Sequence, residues 1–313
     1  MNAQADVLLV TVTKVESLAV LAAFEPATGQ KARLEARGDK AYHDLGTVNG
    51  AHVWLARSEM GAGGLGAAQQ SVSKAIAELR PAAVLMVGIA FGLDAPWQKI
   101  GDILVSENLR LYEPQRAGPA ATLPRGDRPH GSPWLLDACK NADLHWPGAT
   151  VRFGCILTGE KLVDHLDLRA QLRAFEPEAL GGEMEGAGLY TACQDAKVDW
   201  LLVKAICDWA DGDKETDRQP RQQLAARNAA EFVLHVLQQV SLKSDCTSES
   251  AGTAGARTFL SASGRAKERG KRTRMSALHP TGSGAVVVGN GNVTAGPGGV
   301  AIGGDHHGDI TLH

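Results

Sequence analysis

The sequence predicts an α/β fold on a mostly parallel or mixed sheet, and three observations carry that expectation. Short β-rich runs alternate with segments of helical periodicity as far as residue 240, the pattern of strands joined through helices. Residues 82–90, AAVLMVGIA, are continuously apolar, as a strand buried on both faces must be. At 313 residues, with 44% hydrophobic and 21% charged side chains, the chain is long enough for one large core plus extensions.

The elements follow in order. DVLLVTV (6–12) is strand-like, and KVESLAVLAAF (14–24) is the helix after it. HVWLARSEM (52–60) is a second strand, and AAQQSVSKAIAEL (67–79) has helical periodicity until Arg80-Pro81 ends it, because proline lacks the N–H a helix needs. After the apolar run come the strands DILVSENLRLY (102–112) and VRFGCILTG (151–159) and a helical segment over 161–175. The stretch GGEMEGAGLY (181–190), the strand WLLVKAICD (200–208) and a last helix around 221–242 complete the body. In such folds ligands collect beyond the carboxyl ends of strands.

Three segments are expected: a body over 1–242, a basic flexible linker over 243–284 and a glycine-rich tail over 285–313. The linker is small and polar, with seven Lys/Arg against Glu268 alone between Arg257 and Arg274. It lacks the interleaved aromatics of a nucleic-acid arm, so nucleic acid is not expected as a partner. In the tail, VVVGNGN, VTAGPGG and VAIGGDH repeat with a period of seven. Units this short must stack, coil into a β-roll or pair with other chains, unless they form a disordered tail. The repeats resemble, weakly, the glycine-rich β-rolls of trimeric bacterial surface proteins. His306, His307 and His313 have no acid or cysteine framework for a metal.

No stretch approaches the roughly 18 apolar residues of a membrane helix, so no membrane partner is expected. The start, MNAQADVLLVTVTK, has no basic region before its short apolar run, unlike a signal peptide. The five cysteines, 139, 155, 193, 207 and 246, are dispersed without metal-like spacing. Together these features predict reduced thiols and a cytoplasmic location.

Chemistry concentrates in a few places. GAGGLG (61–66) matches G-x-G-x-x-G between a strand and a helix, the context of a dinucleotide site in an oxidoreductase. The acid that should cap the next strand is missing, because that strand ends in GIAFGL (88–93); a turn beside a ribose or phosphate, or simply a tight turn, explains the same glycines. Three acids are more telling. Glu16 lies just inside the first helix, Asp208 ends the strand LLVKAI, and Glu185 opens the helix after the glycine pair. Each has a plain alternative as a helix-start acid or cap. If their strands are parallel and adjacent, all three face one edge, where an acid for a leaving group, a base for water and a hydroxyl binder are combined.

At these residues the chain resembles the purine nucleoside phosphorylase/nucleosidase superfamily. GGEMEGAG followed by LLVKAICDWAD is similar to its paired signature, and GIAFGLDAPWQKIGDILVSE to its glycine-rich strand end. The resemblance runs from residue 5 to residue 240. It is closest to 5′-methylthioadenosine/S-adenosylhomocysteine nucleosidases, and extends to nucleosidase-like domains of bacterial defence and signalling proteins. It implies a three-layer α/β/α phosphorylase-like fold with a central mixed sheet, a homo-oligomer, and no cofactor or metal. It also implies roles. Asp208 protonates N7 of the purine, Glu16 activates water, Glu185 accepts hydrogen bonds from the ribose diol and Met184 packs on the sugar. Leu162 and Val163 fall where the base is held, and Ala90 lies in the glycine-rich strand end. Glu183 supports the sugar site or the helix start.

Hydrolysis is expected over phosphorolysis. A phosphate dianion needs several cations around it, and TVTKVESLAVL brings Glu16 there instead of an arginine cluster. The chain also departs from the nucleosidase pattern. Lys204 replaces an arginine, Cys207 a serine before the aspartate, Ile89 a serine and Phe91 a glycine. The segment GDKETDRQPR is polar where thioether-specific enzymes carry an apolar cover, so Lys214, Arg218 and Arg221 are expected either to meet a 5′-phosphate of an adenine nucleotide or to stand as solvated charges. A non-catalytic nucleoside sensor is a further alternative.

Overall fold

The computed structural model describes residues 5–118 and 122–242, together with strands 285–288 and 292–295. Two compact units divide the chain, residues 1–248 and 249–313. The first contains β1 (Val7–Thr11), α1 (Lys14–Thr28), β2 (Arg33–Arg37), β3 (Lys40–Val48), β4 (Ala51–Arg57), α2 (Ala68–Leu79), β5 (Ala83–Gly92), β6 (Ile103–Leu111), β7 (Gln115–Ala117) and β8 (Thr122–Pro124). It continues with α3 (Pro133–Asp143), β9 (Val151–Thr158), α4 (Leu166–Phe175), β10 (Ala179–Glu183), α5 (Gly186–Ala196), β11 (Asp199–Asp208) and α6 (Arg218–Gln239).

Nine strands form one mixed sheet in the order β10-β9-β6-β11-β5-β1-β4-β3-β2. β4, β1, β5 and β11 run parallel as neighbours, while β6 is antiparallel to β11. β10 is parallel to β9 and also pairs antiparallel with the end of β5. Strands β5, β11, β6, β9 and β10 therefore close a ring, and the carboxyl ends of β5 and β11 open against β10. Helices cover both faces. Val20 and Phe24 of α1, Leu135 of α3 and Phe232 of α6 share one core with Val203, Ala205 and Cys207. Val72 of α2 and Leu189 of α5 share the other with Leu202 and Ile206. Alternate residues of β11 thus face opposite layers, which places Lys204 and Ile206 on the α2/α5 side, up to the bulge that precedes Asp208.

The ten-residue strand β5 is buried along almost its whole length, as its continuous apolar run requires. Two expected helices are displaced. The segment 161–165 is irregular, and α4 starts only at Leu166, with His165 accepting a hydrogen bond from Asp167 N. The last helix spans Arg218–Gln239, starting earlier than residue 221. Strand β10 defeats propensity because its sequence, ALGGE, is glycine-rich. The glycines are required by packing: a Cβ on Gly181 would overlap the Phe91 carbonyl oxygen, and one on Gly182 the Phe91 ring.

In the second unit, β12 (Ala285–Val288) and β13 (Asn292–Ala295) pair antiparallel, so two of the seven-residue repeats meet within one chain. The expected linker over 243–284 and the three tail histidines lie outside the described residues.

Candidate active site

Glu16 reaches the site through a helix cap. Thr13 accepts a hydrogen bond from Glu16 N at 3.3 Å, while Glu16 Oε2 accepts from Thr13 N at 2.6 Å and Val12 N at 2.9 Å. This capping box satisfies the first N–H groups of α1, so the plain reading of Glu16 holds. It does not exhaust the residue, because Oε1 crosses to the end of β5 and accepts from Ile89 N at 2.8 Å. The approach depends on Gly88, where a Cβ would overlap Glu16 Oε1 and lie 3.1 Å from Lys204 Nζ.

Lys204 is buried on β11, with Nζ 3.1 Å from Glu185 Oε2 and 3.8 Å from Glu183 Oε2. Burial alone would depress its ammonium, but Glu185, Glu16 and Glu183 outweigh that and raise it. Glu183 ends β10 and accepts from Glu185 N and Gly186 N at the start of α5. Burial raises its carboxyl to about 7; Lys204 opposes that and the Glu185 charge reinforces it. Lys204 accordingly serves as the ion partner of Glu185, with Glu183 farther from it. Glu185 also accepts from Gly61 N at 3.2 Å through Oε1.

Asp208 closes β11 at a bulge that places it opposite Phe91. Its Oδ2 takes a hydrogen bond from the Cys207 thiol at 3.1 Å, and its Oδ1 from Ala210 N at 3.0 Å. Lys214 Nζ lies 3.6 Å from Oδ1 and donates to Val163 O at 3.1 Å. Asp164 and Arg169 add bonds to Gly212 N and Trp209 O, tying segment 209–214 to segment 163–169.

The structure brings Glu16, Glu183, Glu185 and Lys204 into one cluster, with Asp208 at the carboxyl end of the strand that carries Lys204. The condition for a shared edge holds in part: β1, β5 and β11 are parallel neighbours, whereas Glu185 stands at the start of α5, after β10, which pairs antiparallel with the end of β5. Ala90 is buried beside Ile206 on β11, and Met184 is half-buried. Val163 packs into a small core with Phe91 and Tyr112, and Leu162 is 61% exposed. Lys214 is held at Asp208, and Arg218 pairs with Glu215 in an exposed bridge.

Sequence reasoning missed Glu160, which accepts from Ala62 N and Gly63 N. With Glu185 it fills the N–H groups of the GAGGLG loop that a dinucleotide pyrophosphate would use. The run TGEK offered no signal for this, since partner and loop lie about 100 residues apart. Among the described residues no group of three His, Cys, Asp or Glu is arranged to hold a metal. No described helix is long and apolar enough to cross a membrane.

The sequence profile of the phosphorylase superfamily matches residues 7–238, and the chain belongs to that superfamily. A Death domain-containing ATP nucleosidase of Amphimedon queenslandica is 27% identical over 74% of this chain and 48% of its own length, so the chain spans about half of that relative. A 5′-methylthioadenosine/S-adenosylhomocysteine nucleosidase of Haemophilus influenzae is 29% identical over 67% of this chain and 90% of its own. Among solved structures, the corresponding nucleosidase of Neisseria meningitidis, in complex with methylthio-immucillin-A, superposes with a TM-score of 0.63 at 21% identity. It covers 75% of this chain and 100% of that one. That of Colwellia psychrerythraea, in complex with adenine, gives 0.62 at 24%, covering 78% and 98%. At these identities the structural likeness is one of fold.

Proposed function

We propose that the protein is a purine nucleosidase that hydrolyses the N-glycosidic bond of an adenine nucleoside of the 5′-methylthioadenosine or S-adenosylhomocysteine type. The observation that carries this reading is the Lys204 cluster, in which three buried carboxyls surround the one cation among the described buried residues. Three carboxyls around one ammonium leave the pocket short of cations. Such a pocket repels a phosphate dianion and suits an oxocarbenium-like sugar.

In this mechanism the Asp208 carboxyl donates its proton to N7, so the base leaves as neutral adenine. Glu185 accepts hydrogen bonds from the ribose diol, and Met184 packs against the sugar. Glu16 takes a proton from water as its oxygen bonds to C1′, leaving the free sugar. The Haemophilus influenzae relative supports the neutral nucleoside as substrate. A second reading, hydrolysis of an adenine nucleotide, is favoured by the Amphimedon queenslandica relative. Self-association and a cytoplasmic location belong to the same reading; light scattering on the full chain tests the first.

Chromatography of a nucleoside and nucleotide panel, with and without phosphate, tests the function. Adenine and free sugar are expected without phosphate, and ribose 1-phosphate formed only with phosphate would refute hydrolysis. Glu16→Gln separates the capping role from the base role. The amide can still cap α1 through its oxygen, so the variant should fold while losing on the order of 100-fold in turnover.

A further inference from the structure

The loop between β4 and α2 directs three successive backbone N–H groups at carboxylates. Gly61 N donates to Glu185 at 3.2 Å, Ala62 N to both oxygens of Glu160 at 3.2 and 3.3 Å, and Gly63 N to Glu160 Oε1 at 3.0 Å. Consecutive N–H groups turned this way form a general anion-binding concavity. Gly61 has φ +94°, and a Cβ on it would sit 2.7 Å from Glu160 Oε2, so the carboxylate rests on backbone that only glycine supplies. The inner N–H serves buried Glu185 and the outer two serve exposed Glu160. No role assigned above uses Glu160.

We infer that Glu160 is the specificity-determining residue for the 5′ substituent: an internal carboxylate that fills the anion cradle beside the sugar and selects an uncharged 5′ group over a 5′-phosphate. This rests on the reading that Glu185 holds the ribose diol. With the diol there, Lys204, Gly88 and Glu16 close the deep side and the base runs towards Asp208. Loop 61–63 borders the sugar on that reading, because Gly61 N donates to the same Glu185 carboxyl and Gly63 is exposed beyond it. A phosphate arriving there meets a like charge already seated on the donors it requires. Cations that could offset this are engaged elsewhere, Lys161 at Glu113, Lys214 at Asp208 and Val163 O, and Arg218 at Glu215. A thioether or other neutral group meets no such opposition.

The test compares kcat/KM for 5′-methylthioadenosine and AMP in the wild-type protein, Glu160→Gln and Glu160→Ala. The wild type should prefer the thioether nucleoside. Both variants should narrow that preference by at least about tenfold, through a lower KM for AMP, as expected for removing a like charge at the site. Glu160→Ala should gain more, because it also empties the cradle. An unchanged ratio in both variants, or a wild type that prefers AMP, overturns the inference. If the wild type cleaves neither compound, the proposed function fails by itself. Calorimetric titration with AMP then still decides the role of Glu160: about tenfold tighter binding to Glu160→Ala supports it, and equal affinity overturns it.

Discussion

Asp208 owes its surroundings to its own stretch of chain, whereas Glu16 and Glu185 meet through elements far apart in sequence. Cys207, Ala210 and Lys214, which engage the Asp208 carboxyl, all lie within six residues of it. The other end needs the cap of α1, the glycine of β5, the end of β10, the start of α5 and the lysine of β11. The difference teaches where function and stability separate. A change at the Asp208 end should strike the reaction and spare the fold, because backbone and thiol donors lose little there. A change at the Lys204 end should strike both, since buried carboxyls left without their cation have no solvent to turn to.

The largest effect sharpens the first half of that contrast. Asp208→Asn should lower kcat by about 10²–10⁴-fold, the range for removing a general acid, with its melting temperature near that of the wild type. Near-wild-type turnover would break the assignment. The second effect lies at the opposite end. Lys204→Met should destabilise the protein by about 3–5 kcal/mol, as when one partner of a buried ion cluster is removed, and chemical denaturation measures it directly. A loss of activity with stability intact would show that the cluster is less interdependent than its geometry implies.

Glu183 gives a smaller, pH-dependent effect. Its carboxyl is raised by burial from 4.5 to about 7 in the folded protein. Between those values the folded chain keeps a proton that the unfolded chain has lost. Stability from this group is therefore present at low pH and falls as pH rises through the window, by at most about 1.4 kcal/mol per pH unit. Denaturation curves from pH 5 to 8 should slope less steeply in Glu183→Gln than in the wild type; equal slopes would place the retained proton elsewhere. The smallest effect is at Cys207. Serine keeps a donor to Asp208, so Cys207→Ser should cost no more than about 1 kcal/mol, and Cys207→Ala slightly more, by the ordinary worth of one hydrogen bond.

The same contrast explains what was legible beforehand. The apolar runs that became β1, β5 and β11 were plain because period and burial agreed along them, and the helices α1 and α2 followed from their spacing. β2, with the charged sequence RLEAR, sits at the sheet edge and carries no strong apolar pattern. β10 was hidden because close packing against Phe91 demanded glycine where a strand ordinarily carries bulky residues. At the site, Asp208, Glu185 and Glu16 were legible as acids at the ends of regular elements. Their actual meeting was not, since the ring that brings antiparallel β10 back to β5 is a matter of topology. Glu160 was missed for a related reason: its partners are the backbone N–H groups of Ala62 and Gly63, which leave no trace in residue identity.

Adenine release from 5′-methylthioadenosine in phosphate-free buffer, run side by side for the wild-type protein and Asp208→Asn, probes the division of labour most directly. Hydrolysis by an Asp208 acid predicts steady release by the wild type without phosphate, and near-complete loss in a folded variant. Equal release by both proteins, or release by the wild type only after phosphate is added, would contradict it.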